Sequence, residues 1–303
     1  MSRITATLVG CTAILLWSTL ALATSATGAV PPFLLTALTF SIGGAVGLAA
    51  AVLRGVPLGV LRQPWPVWLH GVGGLFGYHF FYFSALKLAP PAEAGLIAYL
   101  WPLLIVLMSS LLPGEKLKSV HVIGALMGLA GTVVLLGGRA GGLGFSPAYL
   151  PGYGAALLCA FIWSGYSVLS RRFQSVPTDV VAGFCLATAA LSALCHLAFE
   201  PHIWPSGTGE WLAVAALGAG PVGLAFYTWD IGMKRGDIKL LGIASYAAPV
   251  LSTLLLVAAG YAAASWSLAV ACGLIVGGAL VATVLARKQP AESRRSLSQS
   301  SST

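Results

Sequence analysis

The sequence predicts an all-helical polytopic membrane protein, with ten transmembrane helices in a 5+5 inverted-repeat arrangement and both termini on the cytoplasmic side. Three observations carry this reading. The 303-residue chain is 58% hydrophobic and only 8% charged, a composition that a water-soluble domain of this size does not tolerate. Its charges gather in short clusters between apolar runs of about 20 residues, the length of helix that crosses roughly 30 Å of hydrocarbon. The second half of the chain also repeats the first.

The runs fall at 4–24, 32–53, 66–87, 91–112, 119–136, 150–171, 178–199, 209–233, 238–258 and 265–286. Each must be helical, because backbone exposed to lipid has only itself to bond to. The first opens after Arg3 and carries LLWS, Leu15 to Ser18; the second ends before Arg54. The third holds YHFFYF, Tyr78 to Phe83, and closes at Lys87. The fourth starts at the PPAE turn, where Glu93 suits a first helical turn, carries AYLWP and ends before GEKL, Gly114 to Leu117. The fifth contains GALMG, and the sixth carries FIWS, Phe161 to Ser164, and ends at Arg171 and Arg172. The seventh reaches Phe199 without a Lys or Arg, and the eighth carries AFYTWD and ends at Lys234 and Arg235. The ninth follows Lys239 and contains SYAAP; the tenth contains GLIVG and stops at Arg287.

With both termini inside, 14 of the 16 Lys and Arg residues face the cytoplasm, and only Lys87 and Arg139 face the other side. So strong a positive-inside bias supports an even helix count; a bacterial-type inner (plasma) membrane is the expected location. The net charge of +8 is then topogenic, placed where headgroups are anionic, and implies no nucleic-acid partner. MSR, an apolar run and ALA (Ala21 to Ala23) imitate a cleavable signal peptide, and LVGC, ending at Cys11, imitates a lipoprotein box. Both are set aside, because cleavage would remove a helix that has a partner in the second half. The five cysteines lie inside apolar runs without metal spacing. They read as packing residues, and no metal or cofactor is expected.

Shifting YFSALKLAPPAEAGLIAYLWP (Tyr82 to Pro102) by 147 positions onto WDIGMKRGDIKLLGIASYAAP (Trp229 to Pro249) pairs Lys87 with Lys234, Gly95 with Gly242, Tyr99 with Tyr246 and Pro102 with Pro249. LLWS pairs with FIWS, and the Gly-x-x-x-Gly of GALMG with that of GLIVG. Five helices per copy is an odd number, so the second copy runs inverted. The expected units are residues 1–142, residues 143–288 and a disordered cytoplasmic tail, 289–303. Inverted repeats give a carrier two related conformations, one open to each side. Pro102 and Pro249, midway along the fourth and ninth runs, are hinge candidates.

These features together resemble the EamA-type carriers of the drug/metabolite transporter superfamily: the Trp-Ser of the first and sixth runs, the Lys after the third, P-x-x-A-G-L-I-x-Y-x-x-P and GEKL. The resemblance covers residues 4 to 286 or so. Within that family YHFFYF followed by AYLWP is similar to the bacterial exporters of aromatic amino acids. It implies a secondary exporter that works by alternating access through a central aromatic-lined cavity. Other amino acids such as threonine or homoserine, small metabolites and drugs are the alternative cargo; a channel or a membrane-embedded enzyme is the alternative class. GYAAA, Gly260 to Ala264, departs from the family, many members of which carry an acidic residue after the glycine.

An aromatic amino acid is a flat apolar ring on a zwitterion, so its site needs ring surface and a few polar partners. Tyr78 and Tyr82 share a helix face, with His79 beside them. Tyr99 and Trp101 precede the Pro102 hinge, and Trp163 and Ser164 occupy comparable depth. Trp17 and Tyr246 complete the substrate-binding candidates. His79 could donate to a carboxylate or act as a proton-sensitive switch, or merely bond a helix carbonyl. Asp230 and Lys234 are spaced as an i,i+4 pair; with Lys87 they read as gating or architectural. Trp65, Trp68, Trp204, Trp211 and Trp266 belong to the interfacial belts. No nucleotide-binding loop or catalytic cluster is present, so the chain is not expected to be an enzyme. The expected partners are a small-molecule substrate and the lipid bilayer, with the protein acting as a monomer.

Overall fold

The computed structural model describes residues 1–139, 144–260 and 263–285. The 289–303 tail, the four basic residues after Leu285 and part of GYAAA lie outside the described residues. The long helical segments are α1 (Arg3–Ser25), α2 (Pro32–Leu53), α3 (Trp65–Leu88), α4 (Pro91–Leu111), α5 (Ser119–Gly138), α6 (Pro147–Phe173), α7 (Thr178–Phe199), α8 (Thr208–Arg235), α9 (Ile238–Ala258) and α10 (Trp266–Val284). Nine of these are long and apolar enough to cross a membrane, among the described residues. The exception is α3, which has the length, 24 residues, but whose hydropathy is lowered by two histidines, two tryptophans and two tyrosines. No strand occurs among the described residues.

Contacts between helix ends fix an up-and-down bundle. At one end Glu115, after α4, binds Arg3 at the start of α1 and Lys239 at the start of α9. Arg54, after α2, pairs there with Asp179 at the start of α7. Arg171 of α6 donates to the Gly236 carbonyl after α8 at 2.7 Å. This is the Arg3 end. The opposite, Lys87 end joins the starts of α4 and α6 through Glu93 and the Tyr153 hydroxyl. Glu93 also accepts from the Gly144 N–H, so it ties two segments together in addition to serving its own first turn.

Glycines set the closest helix approaches. A Cβ on Gly10 of α1 would lie 3.0 Å from the Gly232 Cα of α8, and one on Gly43 of α2 2.7 Å from the Gly223 Cα. Helices that have no hydrophobic drive to associate inside lipid gain by such backbone proximity. Both prolines singled out in the sequence break their helices. α4 divides into Pro91–Ala98 and Trp101–Met108, and α9 into Ile238–Ala244 and Ala247–Ala258. The break falls one turn before each proline, because the ring displaces the carbonyl four residues earlier.

A buried polar cluster at the Lys87 end was not legible in the sequence. The Glu200 carboxylate, with its side chain 2% exposed, accepts the N–H groups of Phe33 (2.8 Å) and Leu34 (3.1 Å) at the start of α2. His196 of α7 contacts the same carboxylate at 3.1 Å. Glu200→Ala leaves both donors unmet and is expected to lower stability by about 3 kcal/mol, read as a lower melting temperature of the detergent-solubilised protein.

Candidate functional site

Rings from five helices meet at the centre of the bundle. Trp17 of α1 lies 5.7 Å from Trp163 of α6, 6.4 Å from Trp101 of α4, 5.0 Å from Trp229 and 6.1 Å from Phe226 of α8, centroid to centroid. Tyr78 of α3 joins at 5.3 Å from Trp163 and stacks on Tyr82 at 5.8 Å with planes 7° apart. Trp101, Trp163 and Trp229 are buried, whereas Trp17, Tyr78, Tyr82 and Tyr99 are half-buried. The three buried tryptophans form a floor, and Trp17 and the tyrosines stand beside it as half-buried ring surface. Tyr99 lies in the α4 break, two residues before Trp101.

Hydrogen bonding divides the polar groups into those already used and those available. The Trp17 indole donates to the Pro221 carbonyl at 3.1 Å, in a widened π-turn of α8, Gly220–Leu224. Trp229 donates to the Ser167 hydroxyl at 3.1 Å. The Trp101 and Trp163 indoles and the Tyr78, Tyr82 and Tyr99 hydroxyls have no hydrogen-bond partner among the described residues. A zwitterionic ligand could use them.

Two residues expected in the site do other work. Ser164 is wholly buried and its hydroxyl faces the Ala160 carbonyl (2.7 Å) and the Trp101 carbonyl (2.9 Å), tying α6 to α4. Tyr246 is also wholly buried, and its hydroxyl accepts the Leu103 N–H at 3.1 Å, next to Pro102. It braces the two broken helices and does not line an opening. His79 bonds a helix carbonyl, one of the roles read for it in the sequence. Its Nδ1 faces the Leu75 carbonyl at 2.7 Å and must donate there, since a carbonyl only accepts. In the neutral form of the ring Nε2 is then an acceptor, suited to an ammonium and not to a carboxylate. Phe226 and Phe40 join the network by stacking on each other at 5.2 Å, with Phe40 5.1 Å from His79. Both were missed, because a phenylalanine in an apolar run gives no signal of the direction it faces.

The gating candidates differ sharply between the two ends. Lys234 is buried, 2.9 Å from Asp230 and 2.9 Å from the Val176 carbonyl, and Asp230 also accepts from the Thr178 hydroxyl at 2.6 Å. Lys87 is exposed. Pro102 and Pro249 are both buried at their helix breaks. Among the described residues no cluster of potential metal ligands occurs.

Long apolar helices packed round a centre of aromatic rings define a multi-pass membrane protein. The EamA-like transporter family model matches residues 4–137 and again residues 150–284, and the chain belongs to that family. It is 79% identical over 288 residues to the aromatic amino acid exporter YddG of Ancylobacter novellus, covering 95% of this chain and 100% of that protein. The Escherichia coli K12 aromatic amino acid exporter YddG is 28% identical over 308 residues, covering 95% and 100%. A solved crystal structure superposes with a TM-score of 0.93 at 78% identity, covering 95% of this chain and 99% of that one.

Proposed function

We propose that this transporter exports aromatic amino acids from the cytoplasm by alternating access. The ring surface of Tyr78, Tyr82, Tyr99 and Trp17 above the Trp101 and Trp163 floor carries the reading, supported by the names of the relatives. Each stacked or edge-on ring contact adds about 0.5–1.5 kcal/mol beyond area burial, enough to select a ring-bearing cargo while still releasing it. The free Trp101 and Trp163 indoles suit the carboxylate, and His79 Nε2 suits the ammonium. The reading includes ten spans, α3 among them, in two inverted five-helix units at 1–142 and 143–288; the two family matches and the 147-residue shift support it. It places the Arg3 end in the cytoplasm of a bacterial inner membrane, on the strength of the basic residues gathered there. The protein then stands closed towards the cytoplasm and open on the far side.

Uptake by proteoliposomes containing the purified protein alone tests the cargo. Labelled phenylalanine and tryptophan are expected to enter saturably, and excess threonine is expected to compete poorly. Equal competition by threonine, or saturable uptake of threonine alone, would move the cargo to the wider amino acid class.

A further inference from the structure

The residues that betray the repeat are in opposite states in the two copies. A Cβ added to Gly242 of α9 would meet the Pro102 carbonyl oxygen and Val106 at 3.1 Å and Ile105 at 3.2 Å; one added to its counterpart Gly95 of α4 meets nothing within 4 Å. The Tyr246 hydroxyl accepts the Leu103 N–H, whereas the hydroxyl of its counterpart Tyr99 has no hydrogen-bond partner among the described residues. Lys234 is buried and bonded, and Lys87 is exposed. The helix halves agree: Trp101–Met108 packs against Ile238–Ala244, and the equivalent pair, Ala247–Ala258 and Pro91–Ala98, makes no comparable interface.

We propose that Gly95 is the closure point of the Lys87 end, a positioning residue that works only in the conformation opposite to this one. There Gly95 receives the Pro249 carbonyl as Gly242 receives that of Pro102, and the Tyr99 hydroxyl accepts the Val250 N–H as Tyr246 accepts that of Leu103. Gly242 and Tyr246 release their partners in the same movement, which opens the Arg3 end. A glycine is required because two helices meet backbone to side-chain position at this point, and a larger side chain would hold them apart. The exchange is not symmetric in charge. Phe83 stands where Asp230 would be under the 147-residue shift, so Lys87 gains no carboxylate from that position when its end closes. The inference rests on the alternating-access reading above.

It separates two properties that most substitutions change together. Gly95→Val fills open space here and blocks only the conformation not seen. In proteoliposomes the purified variant is expected to melt at the parent temperature and to retain tryptophan binding, measured by ligand-induced thermal shift, while exchange of labelled for unlabelled phenylalanine falls at least tenfold. Gly95→Ala is expected to lie between the two. Gly242→Val is expected to lower the melting temperature, since its surroundings are already filled. Parent-level exchange by Gly95→Val would overturn the proposal, and so would a fall in its melting temperature, which would show that the space around Gly95 is not open. Failure of the parent itself to exchange would instead defeat the carrier reading on which the proposal rests.

Discussion

Lys234→Ala is expected to destabilise the protein by about 3–5 kcal/mol, the cost of removing one partner from a buried ion pair. Asp230 would keep only the Thr178 hydroxyl while remaining 4% exposed at its side chain. The Val176 carbonyl would also lose its donor. The matched substitution Lys87→Ala removes an exposed cation and is expected to leave the melting temperature unchanged. Removing both charges, in Asp230→Ala with Lys234→Ala, is expected to recover much of the loss, because no unpaired charge then remains buried; the parent, Lys234→Ala, Asp230→Ala and the double variant form a double-mutant cycle. Melting curves in detergent provide the readout. Equal effects of Lys234→Ala and Lys87→Ala would mean that the two ends are not in different states.

Trp163→Ala is expected to have the largest effect on transport, at least tenfold. Trp163 is the hub of the ring network, within 6.3 Å of Trp17, Tyr78, Trp101, Tyr166, Phe226 and Trp229. Its truncation also leaves a cavity, at about 3–5 kcal/mol for a buried tryptophan, so exchange must be read beside the melting temperature. Trp163→Phe separates the two effects. It keeps a ring but loses the indole N–H, and is expected to hold stability closer to the parent while weakening exchange of both phenylalanine and tryptophan. A Trp163→Phe protein with unchanged apparent affinity would remove the indole from the carboxylate role.

The long helical spans could be read from the chain because lipid imposes a simple rule: a run of apolar residues long enough to cross it must be helical. The Pro102 and Pro249 breaks followed from ring geometry, and the Asp230 and Lys234 pair from helical spacing. The ring centre was legible in part, since aromatic residues in YHFFYF, AYLWP and the Trp-Ser stretches stood out by type. Their direction did not. Ser164 and Tyr246 sit at the right depth but face neighbouring helices, and Phe40 and Phe226 face inward from runs where lipid-facing phenylalanine reads the same. Glu200 and His196 were invisible for a related reason. They come from the end of α7 and meet the start of α2, a contact that no periodicity within one segment encodes. The difference between the two copies was likewise hidden, because identical residues in both halves carry no record of the state each occupies.

Counterflow distinguishes a carrier for aromatic amino acids from a pore. Proteoliposomes containing the purified chain are preloaded with unlabelled tryptophan and diluted into trace labelled phenylalanine. A carrier gives a transient accumulation of label above its equilibrium level, which Trp163→Ala abolishes. Entry of label that only approaches equilibrium, unaffected by the preloaded tryptophan, would mean that the protein is a pore and not a carrier.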